Sequence, residues 1–380
     1  MIGRFHLVTF SGGGNTVPTY ALARRLIARG HEITILGQME QAETARSLGA
    51  RFVPLGVPDW TPGKSIEEQS DAFLALLFGP NVGRAVLDDI ARDPPDVLVV
   101  DCMLTSALAA AERAAIRSAA LVHVLYEQFV AGTVGRRWEA MLPVVNEMRS
   151  GFGLPPAESP MALLEPMRIV LVACPQTFDV AMPELPKNVR YVGAMLDDDP
   201  TTPGACPWPL ADGRPRLLVT FSTTYQHQET VLRRIATTLA TLPVEAIITT
   251  GPTVDVHAID PARNVAVFGY IAHRTLLPDC ALVITHAGLG AVMTALAHGV
   301  PLLCMPMGRD QHDNAARVAA CGAGCVLPLE AAVGQISETI AAMLAAPEYQ
   351  KSARDMAATI ALRDGRDVAV DELEKLLNAG

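Results

Sequence analysis

Three short segments in the last third of the chain combine residue types that bind phosphate and sugar. They read His286-Ala287-Gly288-Leu289-Gly290, His298-Gly299-Val300-Pro301 and Asp310-Gln311-His312-Asp313-Asn314-Ala315. The first follows an apolar run that is typical of a buried strand, and it precedes a helix that we expect to begin at Ala291. Small residues before a helix N-terminus favour an anion, because unpaired N–H groups and the helix dipole attract negative charge. The first segment therefore predicts a diphosphate site.

The next apolar run, Val300 to Pro306, predicts a second buried strand. That strand would bring Asp310 and Gln311 to the same edge of a sheet, where open α/β sheets bind their ligands. A carboxylate beside an amide suits the hydroxyl groups of a sugar, since together they accept and donate hydrogen bonds. The segments together indicate a nucleotide-sugar site.

A glycine-rich loop, Gly12-Gly13-Gly14-Asn15, follows the first apolar run of the chain. It lacks the GxGxxG pattern of a dinucleotide site, and the acidic residue expected after the second strand is absent, so we exclude a dehydrogenase. Asp101 ends another apolar run. Its carboxylate is either part of a site or a cap for a helix from Met103 onward, and the sequence leaves both open.

Short apolar runs alternate with helical stretches, which predicts an α/β protein with two doubly wound parallel sheets. The runs span 5–10, 32–36, 51–55, 97–100, 121–125 and 169–173 in the first half, and 217–221, 246–249, 265–268, 282–285 and 302–305 in the second. A Pro-, Asp- and Gly-rich stretch between the halves is typical of a linker. We predict a first domain at 1–200, a linker at 201–215, a second domain at 216–362 and a C-terminal helix within 363–380.

The composition favours a large core, since 50% of the 380 residues are hydrophobic and 18% are charged. A net charge of -10 gives no general attraction to nucleic acid or anionic membranes. We find neither a membrane-spanning run nor a signal peptide, and we therefore expect a cytoplasmic protein. Seven scattered cysteines lack the paired spacing of a metal site, so we expect free thiols.

From Phe268 to Gly324 the chain resembles the inverting GT-B glycosyltransferases that decorate natural products, and a weaker similarity covers nearly all of it. In that family a strand-end His, HGGxGT, GVPxxxxP and DQxxNA occur in this order. The resemblance implies two Rossmann-like domains facing across a cleft, with the sugar donor in the second and an apolar acceptor in the first. It also implies hexose transfer with inversion, no metal, no cofactor beyond a UDP- or dTDP-sugar, and a last helix that returns to the first domain.

The resemblance assigns roles to residues of the second domain. His286 donates a hydrogen bond to the diphosphate, and Asp310 and Gln311 contact a hydroxyl-rich hexose. The remaining donor-site residues are Ser222, Thr223, Ile271, Gly288, Leu289, Gly290 and Ala291. Ser222 and Thr223 are equally consistent with capping the next helix.

Two positions of the second domain depart from the family pattern. Ala291 replaces a Thr whose hydroxyl can touch phosphate, while its backbone N–H remains. Thr294 stands where many relatives carry a Glu that bonds the ribose hydroxyls. The choice between UDP and dTDP therefore stays open.

The first domain departs at the catalytic position. In the family, the loop after the first strand reads GHxxP, and the helix that follows ends in RGH. Pro18 and Arg29-Gly30-His31 match the Pro and the RGH of this pattern, so Asn15 stands where the family has its catalytic His. Asn has no titratable group and cannot act as a base, although it can orient an acceptor. Asp101 aligns with the acid that partners this His, and we name Asn15 and Asp101 as the catalytic candidates.

The identity of the base stays open at this point. Asp101 could take the proton directly or through water, and His123, Tyr126 and Glu127, which follow the next strand, are further candidates. An acceptor that ionises readily, such as a phenol, would need less help, and so would an amine or an activated carbon.

Apolar side chains of the first domain suggest what the acceptor looks like. They are Trp60, Phe73, Leu74, Phe78, Phe129, Trp138 and Met141. Most of these belong to a core or a lid, and any that line the acceptor site would favour an apolar, flat or macrocyclic molecule.

Two other functions fit the sequence. One is a degenerate, non-catalytic protein that binds sugar nucleotide or assists another enzyme, which Asn15, Ala291 and Thr294 would support. The other is a cell-wall enzyme that glycosylates a lipid-linked intermediate, without being an integral membrane protein. A homodimer is also left open.

Overall fold

The computed structural model describes residues 2–57, 66–196, 208, 213–223 and 227–378, with backbone only for 66–70 and 133. The chain folds into two compact units. Unit 1 contains Met1–Asp197 and Arg363–Gly380, and unit 2 contains Asp198–Leu362. Trp60 and most of the predicted linker 201–215 lie outside the described residues.

Unit 1 is built on a seven-stranded parallel sheet in the order β3-β2-β1-β4-β5-β6-β7. The strands are β1 (Arg4–Val8), β2 (Glu32–Gly37), β3 (Arg51–Pro54), β4 (Val97–Asp101), β5 (Ser118–Val122), β6 (Ile169–Val172) and β7 (Val189–Tyr191). Every residue of β4, β5 and β6 is buried, as expected for parallel strands covered on both faces. The strand order reverses between β1 and β4, which creates a ligand crevice at their carboxyl ends.

Helices cover both faces of this sheet. They are α1 (Thr16–Ala28), α2 (Ala42–Ser47), α3 (Ile66–Phe78), α4 (Asn81–Arg92), α5 (Thr105–Ala114), α6 (Tyr126–Val130) and α7 (Thr133–Gly151). Phe5 and Leu7 of β1 share a core with Leu22 and Leu26 of α1. That core fixes the direction of the loop between β1 and α1.

Unit 2 repeats the architecture with a six-stranded parallel sheet in the order β10-β9-β8-β11-β12-β13. Its strands are β8 (Arg216–Thr220), β9 (Glu245–Thr249), β10 (Val265–Phe268), β11 (Leu282–Thr285), β12 (Leu302–Cys304) and β13 (Gly324–Val326). Its helices are α8 (Glu229–Ala240), α9 (His273–Leu276), α10 (Leu289–Ala297), α11 (Gln311–Ala320), α12 (Val333–Ala345) and α13 (Pro347–Ala361). The reversal falls between β8 and β11, so a second crevice lies at their carboxyl ends.

The last helix, α14 (Gly365–Asn378), is part of unit 1 and packs on α1. The guanidinium of Arg29 pairs with Asp371 at 2.6 Å and with Glu374 at 3.0 Å. His31 accepts the N–H of Gly3 at Nδ1, so its Nε2 donates to Glu374 at 3.0 Å. The Arg29-Gly30-His31 segment therefore anchors the C-terminal helix.

The predicted class, two doubly wound α/β sheets, is confirmed, but some boundaries differ. β5 covers Ser118–Val122 rather than 121–125, because its small residues fit between β4 and β6 despite their low intrinsic preference for strands. Helix α10 begins at Leu289 rather than Ala291, because Gly288 is extended and acts as its N-cap. The expectation of a loop through Gly290 is therefore wrong.

Two short strands escaped the sequence analysis. β7 and β13 have three residues each, which is too short for a periodic apolar pattern. Gly324 of β13 is required by packing, since a Cβ there would lie too close to the carbonyl oxygen of Leu302. Pairing with neighbouring strands, rather than local preference, forms both.

In the described part of the chain, no helix is long and apolar enough to cross a membrane. Six of the seven cysteines are described, and none of these six forms a disulfide. Cys102, Cys174 and Cys304 are buried, and the other three are half-buried.

Candidate active site

The turn after β11 places His286 at the crevice of unit 2. Ala287 has a positive φ of 67°, which turns the chain sharply before Gly288. A Cβ on Gly288 would lie 2.7 Å from Nε2 of His286, so only glycine lets the ring lie this close to the turn. Burial lowers the pKa of His286 to about 4, although the backbone of Thr220 opposes this. The imidazole is therefore neutral near pH 7 and still carries one N–H donor.

The N-terminus of α10 lies directly after this turn. Its N-cap, Gly288, makes no side-chain capping bond, and the first-turn N–H groups of Leu289, Gly290 and Ala291 have no partner within the helix. A Cβ on Gly290 would meet no atom within 4 Å. The arrangement suits an anion such as a diphosphate.

Asn314 joins the two donor segments, and the list of candidates from the sequence omitted it. Its Nδ2 donates to the carbonyl of Ala287 at 3.0 Å and to Oδ2 of Asp310 at 2.9 Å. Asn314 is fully buried, so these bonds are shielded from water. The signal was present, because the Asn is part of the DQxxNA pattern. The bond places Asp310 beside the turn that carries His286.

Gln311 has a different environment from the one that the sequence suggests. The residue is buried, and its Oε1 accepts the N–H groups of Met307 at 2.8 Å and Gly308 at 3.1 Å. The side chain thus holds the loop that presents Asp310. Its contact with a sugar stays a prediction.

The remaining donor candidates follow β8 and β10, at the same edge of the sheet. Ser222 is buried, Thr223 is exposed and Ile271 is half-buried. The N-cap of α8 is Gln228, without a side-chain capping bond, so the alternative that Ser222 or Thr223 caps this helix is wrong. Thr294 donates its hydroxyl to the carbonyl of Gly290 at 2.7 Å. The turns after β8, β11 and β12 therefore converge at one edge.

Three polar side chains meet at the crevice of unit 1. Nδ2 of Asn15, after β1, donates to Oδ2 of Asp101 at 3.0 Å. Nε2 of His123, after β5, lies 3.0 Å from Oδ1 of the same carboxylate. Because β1, β4 and β5 are neighbours in the sheet, their carboxyl ends bring these three residues together.

Asn15 and Asp101 have most of their hydrogen-bonding capacity satisfied inside the protein. Asn15 also donates to the carbonyl of Phe10 at 2.9 Å and accepts the N–H of Gly12 at 3.0 Å. Oδ1 of Asp101 also accepts the N–H of Met103 at 2.9 Å. Helix α5 begins only at Thr105, so this contact stabilises a turn rather than capping the helix. The carboxylate is held by three residues and is buried.

The pKa of His123 is shifted in the opposite direction from that of His286. Burial alone would lower its pKa, but the Asp101 carboxylate and, to a lesser extent, Cys102 outweigh this and hold the pKa of His123 well above its usual value. Burial also raises the pKa of the Cys102 thiol. Asp101, Cys102 and His123 place possible ligand atoms within 4.8 Å of one another. A neutral thiol is a poor metal ligand, so the cluster is better described as a hydrogen-bonded acid–base network.

The other candidates after β5 are not part of this network. Tyr126 is fully buried, and burial raises the pKa of its hydroxyl to about 12. Its backbone N–H donates to Asp179 at 2.7 Å. Oε2 of Glu127 accepts a hydrogen bond from Gln128 at 2.7 Å. A role for either residue as a base stays a prediction.

The apolar residues of unit 1 divide into core and surface. Phe78 and Phe129 pack edge-on against Trp138, with ring centroids 5.2 and 5.1 Å away, and all three are buried. Phe73 approaches Phe10, which leads into the Asn15 loop. Leu74 is exposed, and with Phe78 and Met141 it lines a groove of about 740 Å³.

Comparison with known proteins adds evidence from the whole chain. Residues 233–376 match the family model described as erythromycin biosynthesis protein CIII-like, C-terminal domain. The chain is 28% identical to 4'-demethylrebeccamycin synthase of Lentzea aerocolonigenes, in an alignment that covers 99% of this chain and 100% of that protein. The chain is a glycosyltransferase with the GT-B fold, and it is similar to glycosyltransferases of natural-product biosynthesis. The non-catalytic and cell-wall alternatives are not favoured.

Solved structures of other glycosyltransferases share this fold. CalG4, the calicheamicin glycosyltransferase, superposes with a TM-score of 0.82 at 24% identity, covering 100% of this chain and 99% of that one. The spinosyn rhamnosyltransferase SpnG complexed with thymidine diphosphate gives a TM-score of 0.73 at 21% identity, covering 98% and 100%. Both likenesses extend through the two units of this glycosyltransferase.

Proposed function

We propose that this glycosyltransferase moves a hexose from a nucleoside-diphosphate sugar to an apolar aglycone, with inversion at the anomeric carbon. The observation that carries the proposal is the bridge made by Asn314, which joins Asp310 to the turn of His286. The bridge holds the Asp310 carboxylate, for which we propose sugar binding, close to the turn before the N-terminus of α10, for which we propose diphosphate binding. A nucleotide sugar is a ligand that needs both.

Departure of the nucleoside diphosphate depends on hydrogen-bond donors that are already in place. As the bond between the anomeric carbon and the diphosphate oxygen breaks, negative charge develops on the diphosphate. The N–H of neutral His286 and the first-turn N–H groups of α10 can stabilise that charge with little rearrangement. We therefore propose that no metal and no cofactor beyond the donor is required.

We propose dTDP as the preferred nucleotide, with UDP as the second choice. Thr294 is shorter than a Glu, and its hydroxyl hydrogen is donated to Gly290, so a bidentate contact with a ribose diol is not available. The nucleotide of a dTDP-sugar has no 2′-hydroxyl to bind. Thymidine diphosphate is also the ligand in the SpnG structure.

The test begins with calorimetric titration of the full chain with dTDP and UDP. Transfer is then measured from dTDP-glucose and UDP-glucose to apolar phenols, amines, indoles and macrolide aglycones, and the anomeric configuration of the product is read by NMR. We expect tighter binding of dTDP and an inverted product. Retention would contradict the mechanism, and failure to bind either nucleotide would contradict the donor site. A cytoplasmic location and a homodimer stay predictions.

A further inference from the structure

Asn15 stands where the family has its catalytic histidine, so this position has no titratable group. Unit 1 instead places another histidine, His123, against the carboxylate of Asp101. We propose that His123 is the base that removes the acceptor proton, with Asp101 orienting and polarising it. In this chain the histidine that pairs with Asp101 would then come from the loop after β5, whereas in the family it comes from the loop after β1. This inference rests on the proposed transferase function.

The hydrogen bond defines which atom of His123 acts. A carboxylate only accepts, so Nε2 carries a hydrogen and donates it to Oδ1 of Asp101 over 3.0 Å. In the neutral ring, Nδ1 is left with a lone pair. Asp101 thus selects the tautomer whose second nitrogen can accept a proton, as in other carboxylate–histidine pairs.

Exposure separates the two partners. The side chain of Asp101 is 1% exposed, whereas that of His123 is 10% exposed. The carboxylate already accepts hydrogen bonds from three residues. His123 is therefore the member of the pair that an acceptor can reach, and Asp101 is a positioning residue.

Asn15 completes the pair rather than replacing the base. Its amide donates to Oδ2 of Asp101, while Oδ1 of the amide accepts the N–H of Gly12. A Cβ on Gly12 would lie 2.8 Å from that amide oxygen, so the loop is built tightly around the side chain. Asn15 thereby fixes the carboxylate from the side opposite His123.

Among the described residues, Asp101 and Cys102 are the titratable groups that act on the ring and adjust its basicity. Asp101 favours the imidazolium, and the buried Cys102 thiol, within 4.8 Å, adds to this. A raised pKa makes His123 a stronger base when it is neutral, but it also keeps a larger fraction protonated near pH 7. The rate should therefore rise with pH until the pair has lost its proton.

The proposed step needs only the two substrates, His123 and water to account for every bond, proton and electron pair. The acceptor O–H or N–H proton passes to Nδ1 of His123 as the acceptor atom bonds to the anomeric carbon. The bond between that carbon and the diphosphate oxygen breaks, and its electron pair leaves with the nucleoside diphosphate. The imidazolium then returns its proton to water, and no oxidant or reductant is involved.

The first experiment compares His123→Gln with His6→Gln. His6 forms another buried pair in unit 1, with Nδ1 2.7 Å from Asp89, but it lies within strand β1 rather than at the crevice. We expect His123→Gln to lower kcat for transfer from dTDP-glucose to an alkyl alcohol by about 10²- to 10⁴-fold and to abolish the rise with pH. His6→Gln should keep the wild-type pH profile, and dTDP binding should be unchanged in both.

The second experiment asks whether the pair can be moved back. In the His123→Gln background, Asn15→His would place an imidazole on the other oxygen of Asp101, and we expect at least a tenfold recovery of the alcohol rate. Asp101→Asn in the wild-type background should shift the pH rise to lower pH, because the charge that raises the pKa of His123 is removed.

The outcomes are distinguishable. If the wild-type chain binds neither nucleotide, or binds dTDP but glycosylates no acceptor, the proposed function fails, and the base assignment fails with it. If the wild type transfers sugar but His123→Gln keeps the rate and pH profile, only the base assignment is overturned. A loss in His123→Gln with an unshifted profile in Asp101→Asn would also overturn it.

Discussion

The two units share a topology, yet the pKa values of the histidines in their crevices are shifted in opposite directions. In unit 1, His123 is hydrogen-bonded to the Asp101 carboxylate, and its pKa lies well above the usual value. In unit 2, burial lowers the pKa of His286 to about 4, and in the described part of this unit no carboxylate is bonded to it. Both residues follow parallel strands near a reversal of strand order.

The difference shows that position in a fold does not decide what a buried histidine can do. Burial alone favours the neutral ring, which can donate an N–H to a developing anion without adding a charge to the free site. A carboxylate at hydrogen-bond distance reverses this and makes the ring a stronger base. One topology can therefore support donor activation and proton removal.

Among the variants outside the proposed base, the largest effect should come from His286→Ala. Removing one preorganised donor to the leaving diphosphate should lower kcat by about 10²- to 10³-fold. The pH at which the rate rises should stay in place, because that limb belongs to His123. The rate is measured in single turnovers with saturating dTDP-sugar.

His286→Gln is the matched control for that variant, because its amide retains an N–H donor. It should lose less activity than His286→Ala. Equal losses would contradict a hydrogen-bond role for His286, and a shift of the pH limb in either variant would contradict the separation of the two histidines.

Breaking the bridge in unit 2 should have the next largest effect. Asn314→Ala leaves the carbonyl of Ala287 and the carboxylate of Asp310 without their shared donor, which should lower the free energy of unfolding by about 2 kcal/mol. Binding of dTDP-glucose should weaken as well, because Asp310 and the turn lose their connection. Urea titration and calorimetry measure the two changes.

Asn264→Ala separates lost stability from lost binding. Asn264 is also buried in unit 2, and its Nδ2 donates to the carbonyls of Leu239 and Val244, both at 2.9 Å. We expect a comparable loss of stability with dTDP-glucose affinity unchanged at a temperature where both variants are folded. Equal loss of affinity in the two variants would remove the special role of Asn314.

A smaller effect, of opposite sign, is expected at the turn. Ala287 adopts a positive φ of 67°, which costs a non-glycine residue about 1 kcal/mol. Ala287→Gly should raise the free energy of unfolding by up to about 1 kcal/mol, since part of the relief is offset by the greater freedom of glycine in the unfolded chain.

Ala115→Gly is its counterpart in unit 1, where Ala115 has a φ of 51° after helix α5. It should stabilise by a similar amount. Thermal unfolding of both variants checks the prediction. A destabilised Ala287→Gly beside a stabilised Ala115→Gly would mean that the methyl group of Ala287 is needed for packing.

The smallest effect concerns how the free energy of unfolding changes at acid pH through the ion pairs of Asp364 in unit 1. The Arg366 guanidinium lowers the pKa of Asp364 to about 2. Burial opposes this shift, and Arg25 adds to it. A depressed carboxyl pKa stabilises the fold above the unfolded value, and this contribution is lost as pH falls from about 4 to about 2. Asp364→Asn should therefore destabilise near pH 7 by no more than about 1 kcal/mol, because the group is only partly buried and solvent screens its ion pairs.

Asp355→Asn is the control for this prediction. Asp355 pairs with Lys351 on the exposed surface of α13 in unit 2, so we expect no measurable change. Thermal unfolding as a function of pH distinguishes the two variants. An Asp364→Asn curve that stays parallel to the wild type between about pH 4 and pH 2 would contradict the assignment.

The sequence predicted features that depend on local pattern. Apolar runs located β10 and β11 correctly, because an uninterrupted β-branched or aliphatic run bounded by polar residues is a strong strand signal. It misplaced β5 and missed β13, because small residues and three-residue strands depend on their neighbours in the sheet. Among the site residues, Asn15 and Asp101 were paired through the family pattern, but the bond of His123 to the same carboxylate has no local signature.

The order of motifs along the chain by itself predicted the doubly wound class and the candidate donor segments, and it fixed the absence of a titratable group at position 15. The tertiary structure alone decided the direction of each histidine's pKa shift, the use of the Gln311 carbonyl by its own loop, and the link that Asn314 makes between the candidate donor segments. The physical reason is that pKa values and hydrogen bonds depend on distances of about 3 Å between atoms. Asp101 and His123 are 22 residues apart in the chain, and Ala287 and Asn314 are 27 apart, so they reach such distances only when the neighbouring strands pair in a sheet.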